Sequence, residues 1–258
     1  MINIIAKAFL FTTNEFFIIS VICIGYFSEK RPAFCRALFI FLLTLILNPY
    51  LKSLWQIPLA AHLGKEGYAF PSGHMQSAMV FWGWLAFEFF NIWFFSFAFF
   101  LLVGIGLSLI HFGYHSLTDI MGAVFFAVLT LVLYYGIFRL LKNKNLGLIG
   151  ILLALFSMII IYFLPNPTFN IWIALGSLVG FSFGCSLINK SATLTKNKMI
   201  KIALAFVGAG FIYYAFGIIK PLVNEINLLC FTQFFILALW ISFGANYIGE
   251  LKLFSLQR

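Results

Sequence analysis

Charge is what this sequence has least of. Of its 258 residues 9% are Asp, Glu, Lys or Arg, against 63% hydrophobic and a mean hydropathy of +1.06. Acidic side chains number seven, a single aspartate among them, and there are four histidines. A soluble domain cannot cover itself with so little polar surface, so the chain reads as an all-α polytopic membrane protein. The net charge of +9 is not a nucleic-acid footprint, because its lysines and arginines are scattered between apolar runs, where they orient spans. Cysteine is scarce and unpatterned: Cys23, Cys35, Cys185 and Cys230 form no CxxC and read as buried free thiols. Met1–Phe11 lacks a basic start and a small-residue cleavage site, which argues against a cleaved leader.

The apolar runs set the layout. An interfacial helix near 4–11 leads into a short first span at about 16–28, and Pro32 suits the first turn of a second span ending near Tyr50. A polar connection over 51–71 carries Lys52, His62, Lys65 and Glu66. Further spans fall near 74–90, 92–110 and 117–141, then near 146–164, 168–188, 199–219 and 226–248. With the N-terminus outside, twelve of the sixteen basic residues collect in inner loops, while Lys7, Lys52, Lys65 and Lys220 fall outside. This asymmetry predicts nine spans, N-terminus out and C-terminus in. Residues 1–141 are expected to form the functional membrane core, with 142–258 supplying four additional helices. There Gly176, Gly180 and Gly184 recur every four residues, a pattern for close helix packing rather than a substrate groove.

The rare polar residues converge on one face of that layout. Three of the four histidines and the aspartate lie between Pro71 and Asp119, with His62 just before. Spans of this length rise roughly 25–30 Å, so a chain descending from His74 and climbing back returns His111 and His115 to its level. An ionisable side chain in a membrane segment is a functional-site hypothesis by default. His115 and Asp119 are spaced i, i+4, so a carboxylate on one ring nitrogen leaves the other as a lone-pair donor. Ser72, Gly73 and His74 open a helix, where free amides and the dipole suit a phosphate oxygen. His74 can protonate a leaving oxygen, and Lys52 supplies positive charge. Singly, each has a plain structural reading: a turn, a helix cap, a snorkelling lysine, a satisfied buried pair. Together they are parts for phosphoryl transfer through a histidine, without a metal. His111-x3-His115 has metal-pair spacing but no third ligand, so no metal or cofactor is expected. Glu88, near the far end of its span, reads as a paired carboxyl rather than a proton relay.

At these residues the chain resembles the type 2 phosphatidic acid phosphatase family, the lipid phosphate phosphatases. The family pattern is Lys-x6-Arg-Pro, Pro-Ser-Gly-His, and Ser-Arg-x5-His-x3-Asp. Pro71-Ser72-Gly73-His74 matches in full, Ser108, His115 and Asp119 match the third element, and Lys52 the first. The likeness covers about residues 14–141. It implies a helical membrane fold and a phosphohistidine on His115, with His74 as acid and then base. It also implies a phosphate held by Lys52, Ser72 and the amides of Gly73 and His74. Two positions depart from it: Leu59-Ala60 stands for Arg-Pro, and Leu109 for the third-element arginine. Charge-assisted hydrogen bonds contribute roughly 1.5–3 kcal/mol each, so the loss is on the order of 3–6 kcal/mol. His111, His62 or Lys65 would have to fill the vacancy, or the substrate carries less charge.

The expected activity is therefore hydrolysis of a lipid-linked phosphate or diphosphate, of phosphatidic acid, phosphatidylglycerol phosphate or polyprenyl diphosphate type. Two alternatives stand beside it: a head-group phosphotransferase acting on a phosphodiester, and a catalytically silent lipid-binding or transport-related protein. The expected partners are membrane lipids and no nucleic acid. The short chain and loops point to a bacterial inner membrane with the site facing the periplasm.

Overall fold

A computed structural model describes residues 2–64, 66–141, 145–188, 198–222 and 225–250. Lys65 lies outside them, as do Lys142, Lys144, Lys190, Lys196, Lys252 and Arg258 of the charge count. The described residues are mostly helical: α1 (Ile2–Phe11), α2 (Glu15–Tyr26), α3 (Arg31–Trp55), α4 (Gly73–Phe89), α5 (Ile92–His111), α6 (Leu117–Leu140), α7 (Leu146–Tyr162), α8 (Phe169–Leu187), α9 (Lys198–Ile219), α10 (Ile226–Leu239) and α11 (Ala245–Glu250). A π-turn over Trp240–Gly244 joins the last two into one apolar rod. Extended pairing among the described residues amounts to an isolated bridge between Pro58 and Tyr68. Among the described residues six helices are long and apolar enough to cross a membrane, and shorter apolar helices accompany them. The protein is an all-α, polytopic membrane bundle.

Two compact units divide the chain, residues 1–20 with 36–140, and residues 21–35 with 141–258. In the first, α4 packs against α5 and α6, and α1 lies along α5 with the Phe9 ring over Gly104. Phe81, Leu85, Ile105, Ala123 and Ala127 are fully or almost fully buried along these seams. At one end of the unit the Arg36 guanidinium grips both carboxylate oxygens of Glu88 (Nη2–Oε2 2.7 Å) and lies 5.1 Å from the Phe138 ring centre. Glu88 is thus the paired carboxyl that its position suggested. The other end gathers the last turn of α3, the first turn of α4 and the α5–α6 turn.

The second unit turns its glycines to packing. A Cβ on Gly176 or Gly180 would run into the backbone carbonyls of Phe231 and Phe235, so α8 and α10 approach as closely as the missing side chains permit. Tyr26 donates to the Ser242 carbonyl at 2.7 Å and accepts from Arg31.

Two sequence expectations change. The second span does not end near Tyr50: α3 runs through Pro49 to Trp55, so Lys52 sits on its last turn rather than in the connection. A proline removes one intrahelical bond, which a helix tolerates when its flanks are held by packing; here Ile46 and Leu51 are buried. The left-handed Gln56 (φ +50) then ends the helix. Lys201, counted among the loop charges, belongs to α9; it is wholly buried, and its Nζ lies 3.0 Å from a Glu250 carboxylate oxygen.

Breaking a largely buried ion pair by removing one partner costs about 3 kcal/mol, more than replacing both with apolar groups. Glu88→Ala should therefore lower the thermal unfolding midpoint in detergent further than the double variant Arg36→Met/Glu88→Leu. Equal losses would mean that the pair adds nothing beyond packing.

Candidate active site

The site assembles where four backbone segments meet, and polar side chains hold them. Asn48, buried one helical turn before Lys52, donates to the Pro71 carbonyl at 3.2 Å and to Gln76 Oε1 at 2.7 Å. The Ser72 N–H donates to the Asp119 carbonyl at 3.2 Å. The turn before α4 is thereby tied to α3 on one side and α6 on the other. Ser72 caps α4, its Oγ 3.5 Å from the Met75 N–H, which leaves the amides of Gly73 and His74 in the uncompensated first turn. Gly73 is required by contact: a Cβ there would sit 3.0 Å from Asn48 Oδ1. Sequence reasoning passed over Asn48. The available signal was a polar side chain in an apolar run, four residues before a candidate site lysine.

The opposite wall comes from the α5–α6 turn. Gly113 takes a left-handed conformation (φ +66), and the Tyr114 and His115 N–H groups then fold back on the Leu109 carbonyl at 3.0 and 3.4 Å. Ser116 and Asp119 bond reciprocally, the Ser116 N–H to Asp119 Oδ2 at 2.8 Å and the Asp119 N–H to Ser116 Oγ at 3.2 Å. This capping-box arrangement fixes the carboxylate at the positive end of α6. Ser116 is a second positioning residue that the motif reading missed, though the spacing Ser-x-x-Asp announces it.

His115 and Asp119 come together as the sequence spacing anticipated, with side chains 8% exposed each and Nδ1 3.5 Å from Oδ2. At that length the two are in contact without a closed hydrogen bond, and Nδ1 has no other partner. Catalytic hydrogen bonds are often long before substrate arrives. Burial, and then the Lys52 ammonium, push the His115 imidazole down to about 4, only partly offset by Asp119. The ring is therefore neutral at physiological pH, with Nε2 carrying the available lone pair. His74, exposed on the first turn of α4, is near enough to bear on the same ring.

Lys52 donates from Nζ to the Tyr68 carbonyl at 2.6 Å, which holds the ammonium over the loop leading into Pro71. Trp55 packs against Phe70 and Phe126, ring centres 5.4 and 5.3 Å apart, and steadies the same loop. The remaining histidines part company. His111 Nε2 is 2.8 Å from Asn3 Oδ1 on α1, so this expected phosphate ligand is engaged elsewhere. His62 reaches the α5–α6 turn instead, where a Cβ on Gly113 would meet its Nε2 at 3.0 Å. Leu109, at the arginine position of the motif, is 1% exposed and part of the apolar core. No arginine lies between Arg36 and Arg139.

A lone-pair nitrogen backed by a carboxylate, a second imidazole, a fixed ammonium and a helix N-terminus suit attack on phosphorus and protonation of what leaves. No curated protein and no solved structure matches the chain. Residues 26–142 match the PAP2 superfamily, a stretch that contains His74, His115, Asp119, Lys52 and the residues that hold them. The match covers a little under half of the chain, and over that stretch the chain is similar to the PAP2 superfamily.

Proposed function

We propose that this protein is a membrane phosphatase that hydrolyses a lipid-linked phosphate or diphosphate through a phosphohistidine on His115. Similarity to the PAP2 superfamily implies phosphatase-type activity on phosphate esters, often of lipids. The observation that supports the finer reading is the largely buried His115 in contact with Asp119, whose carbonyl is bonded to the Ser72 N–H at the start of α4. His115 Nε2 attacks phosphorus, the bond to the leaving oxygen breaks, and His74 gives that oxygen its proton. Water then attacks the phosphohistidine, His74 takes the water's proton, and the P–N bond breaks to release phosphate. Asp119 holds the Nδ1 proton and offsets the charge that develops on the ring. Lys52, Ser72 and the amides of Gly73 and His74 bind the phosphoryl oxygens. His111 joins them only by releasing Asn3, which makes His62 the better-placed substitute for a missing arginine.

The arginine-free site favours one second reading. A phosphate monoester near its dianionic form needs more positive charge than Lys52 and a helix terminus supply, whereas a phosphodiester carries a single charge. Head-group transfer from such a diester to an alcohol acceptor would use the same phosphohistidine, with the alcohol in the place of water.

With detergent-purified protein, phosphate release from phosphatidic acid, phosphatidylglycerol phosphate or a polyprenyl diphosphate should fall by roughly 10³-fold or more in His115→Ala. Head-group exchange without release would favour the transferase. If none of these substrates reacts and no acid-labile phosphohistidine can be trapped, the enzyme reading fails and a lipid-binding role remains.

The pH profile gives an independent check. A histidine whose protonation is depressed stays neutral until the pH drops through its lowered value, so the acid limb of kcat/KM should fall near pH 4 rather than 6.5. Removing the neighbouring positive charge eases ring protonation, so Lys52→Met should move that limb upward. An acid limb near 6.5, unmoved by Lys52→Met, would contradict the assignment.

A further inference from the structure

The second unit encloses a cluster of reactive side chains that the phosphate chemistry does not use. Cys35 lies on α3 and Cys185 on α8, far apart in sequence, and both are buried, Cys35 completely. Their thiols are within hydrogen-bonding reach of each other. Tyr26 stands beside the pair: its hydroxyl donates to the Ser242 carbonyl at 2.7 Å, accepts from Arg31 and reaches the Cys185 sulfur. The Tyr26 ring meets Phe181 edge-on, ring centres 5.0 Å apart. Phe181 precedes Cys185 by one helical turn, so the contact fixes which face of α8 turns to the cluster. The Arg31 guanidinium carbon is 4.4 Å from the same Tyr26 ring centre. All these residues belong to one compact unit.

Arg31 is 8% exposed, and among the described residues its guanidinium has no carboxylate partner. The groups on which its charge acts are the Tyr26 hydroxyl and the two thiols. A buried cation so placed favours the thiolate of a cysteine that faces it. The positive end of α3 adds to this at Cys35, four residues after Arg31 and on the same face. Cys23 makes the contrast: it is also deeply buried, yet among the described residues no charged group bears on it. We propose that Cys35 and Cys185 are a redox-active dithiol, which hydrogen peroxide converts reversibly into a disulfide joining α3 to α8. The Cys35 thiolate attacks one peroxide oxygen, the O–O bond breaks, and the departing hydroxide takes up the proton that Cys35 gave up. The Cys185 sulfur then attacks the sulfenic acid so formed. The S–S bond forms, the S–O bond breaks, and the Cys185 proton leaves with the hydroxide as water. Two thiols and one peroxide thus give one disulfide and two waters. Cys185 is 8% exposed and Cys35 not at all, so only an oxidant close to water in size reaches the pair.

The test takes the reduced full-length chain in detergent, treats it with dilute hydrogen peroxide, then unfolds, alkylates and maps it by mass spectrometry. The peptides holding Cys35 and Cys185 should be recovered joined, with Cys23 still free, and dithiothreitol should restore both thiols. Unreacted Cys35 and Cys185, separate oxidation of each to the sulfinic acid, or a bond from either to Cys23 or Cys230 would overturn the assignment. Glutathione disulfide at the same concentration should leave the pair unreacted, and equally rapid oxidation by it would contradict an enclosed dithiol. Arg31→Met should slow disulfide formation roughly tenfold through a smaller thiolate fraction. Arg31→Lys, which keeps the charge, should restore most of the rate. An unchanged rate in Arg31→Met with a wild-type unfolding midpoint would refute the part given to the guanidinium. The joined peptides are read in the unsubstituted chain, so that result depends on no variant's folding.

Discussion

The site depends on one main-chain hydrogen bond, from the Ser72 N–H to the Asp119 carbonyl. It joins the turn that opens α4 to the carboxylate residue in contact with His115. In water such a bond contributes about 1 kcal/mol, but in a buried, water-poor setting its loss leaves two unsatisfied groups and costs more. Asn48 works with it by satisfying the Pro71 carbonyl and anchoring Gln76, so the turn has no freedom to drift from α3. Arg36 and Glu88 fix the other end of the same unit, and α3 and α4 are thus pinned near both tips.

Much of this was legible in the sequence because membrane segments announce themselves. Every apolar run has its helix, and boundaries such as those of α4, α5, α8 and α9 fall within a residue or two of those read from hydropathy. His115 and Asp119 were legible for a different reason: ionisable side chains are so rare here that their spacing carries information. What escaped was whatever depends on helix continuation or tertiary pairing. The second span looked finished near Tyr50, yet packing on both flanks of Pro49 carried α3 onward and moved Lys52 onto a helix. His111 looked like a phosphate ligand, and no pattern in the sequence foretold Asn3 across from it. Lys201 looked like a loop charge until Glu250 closed on it from far along the chain.

One of the two absent arginines gains a structural explanation from Leu109. Its side chain is packed into the first unit, while its carbonyl accepts both amides of the α5–α6 turn. An arginine at that position would have to turn its charge out of an apolar seam, at considerable cost. The core beneath the turn is therefore built for a leucine, and electrostatic compensation has to come from elsewhere.

Lys52 meets that need in an unusual manner. A lysine steadied by a carboxylate has its field cancelled by the group that holds it. This one is steadied by the Tyr68 carbonyl, a neutral dipole. Its location is fixed by that dipole, while the Asp119 carboxylate lies near enough to act on its charge. A site this poor in cations gains from an ammonium held in place before an anion arrives, and the Tyr68 carbonyl holds this one.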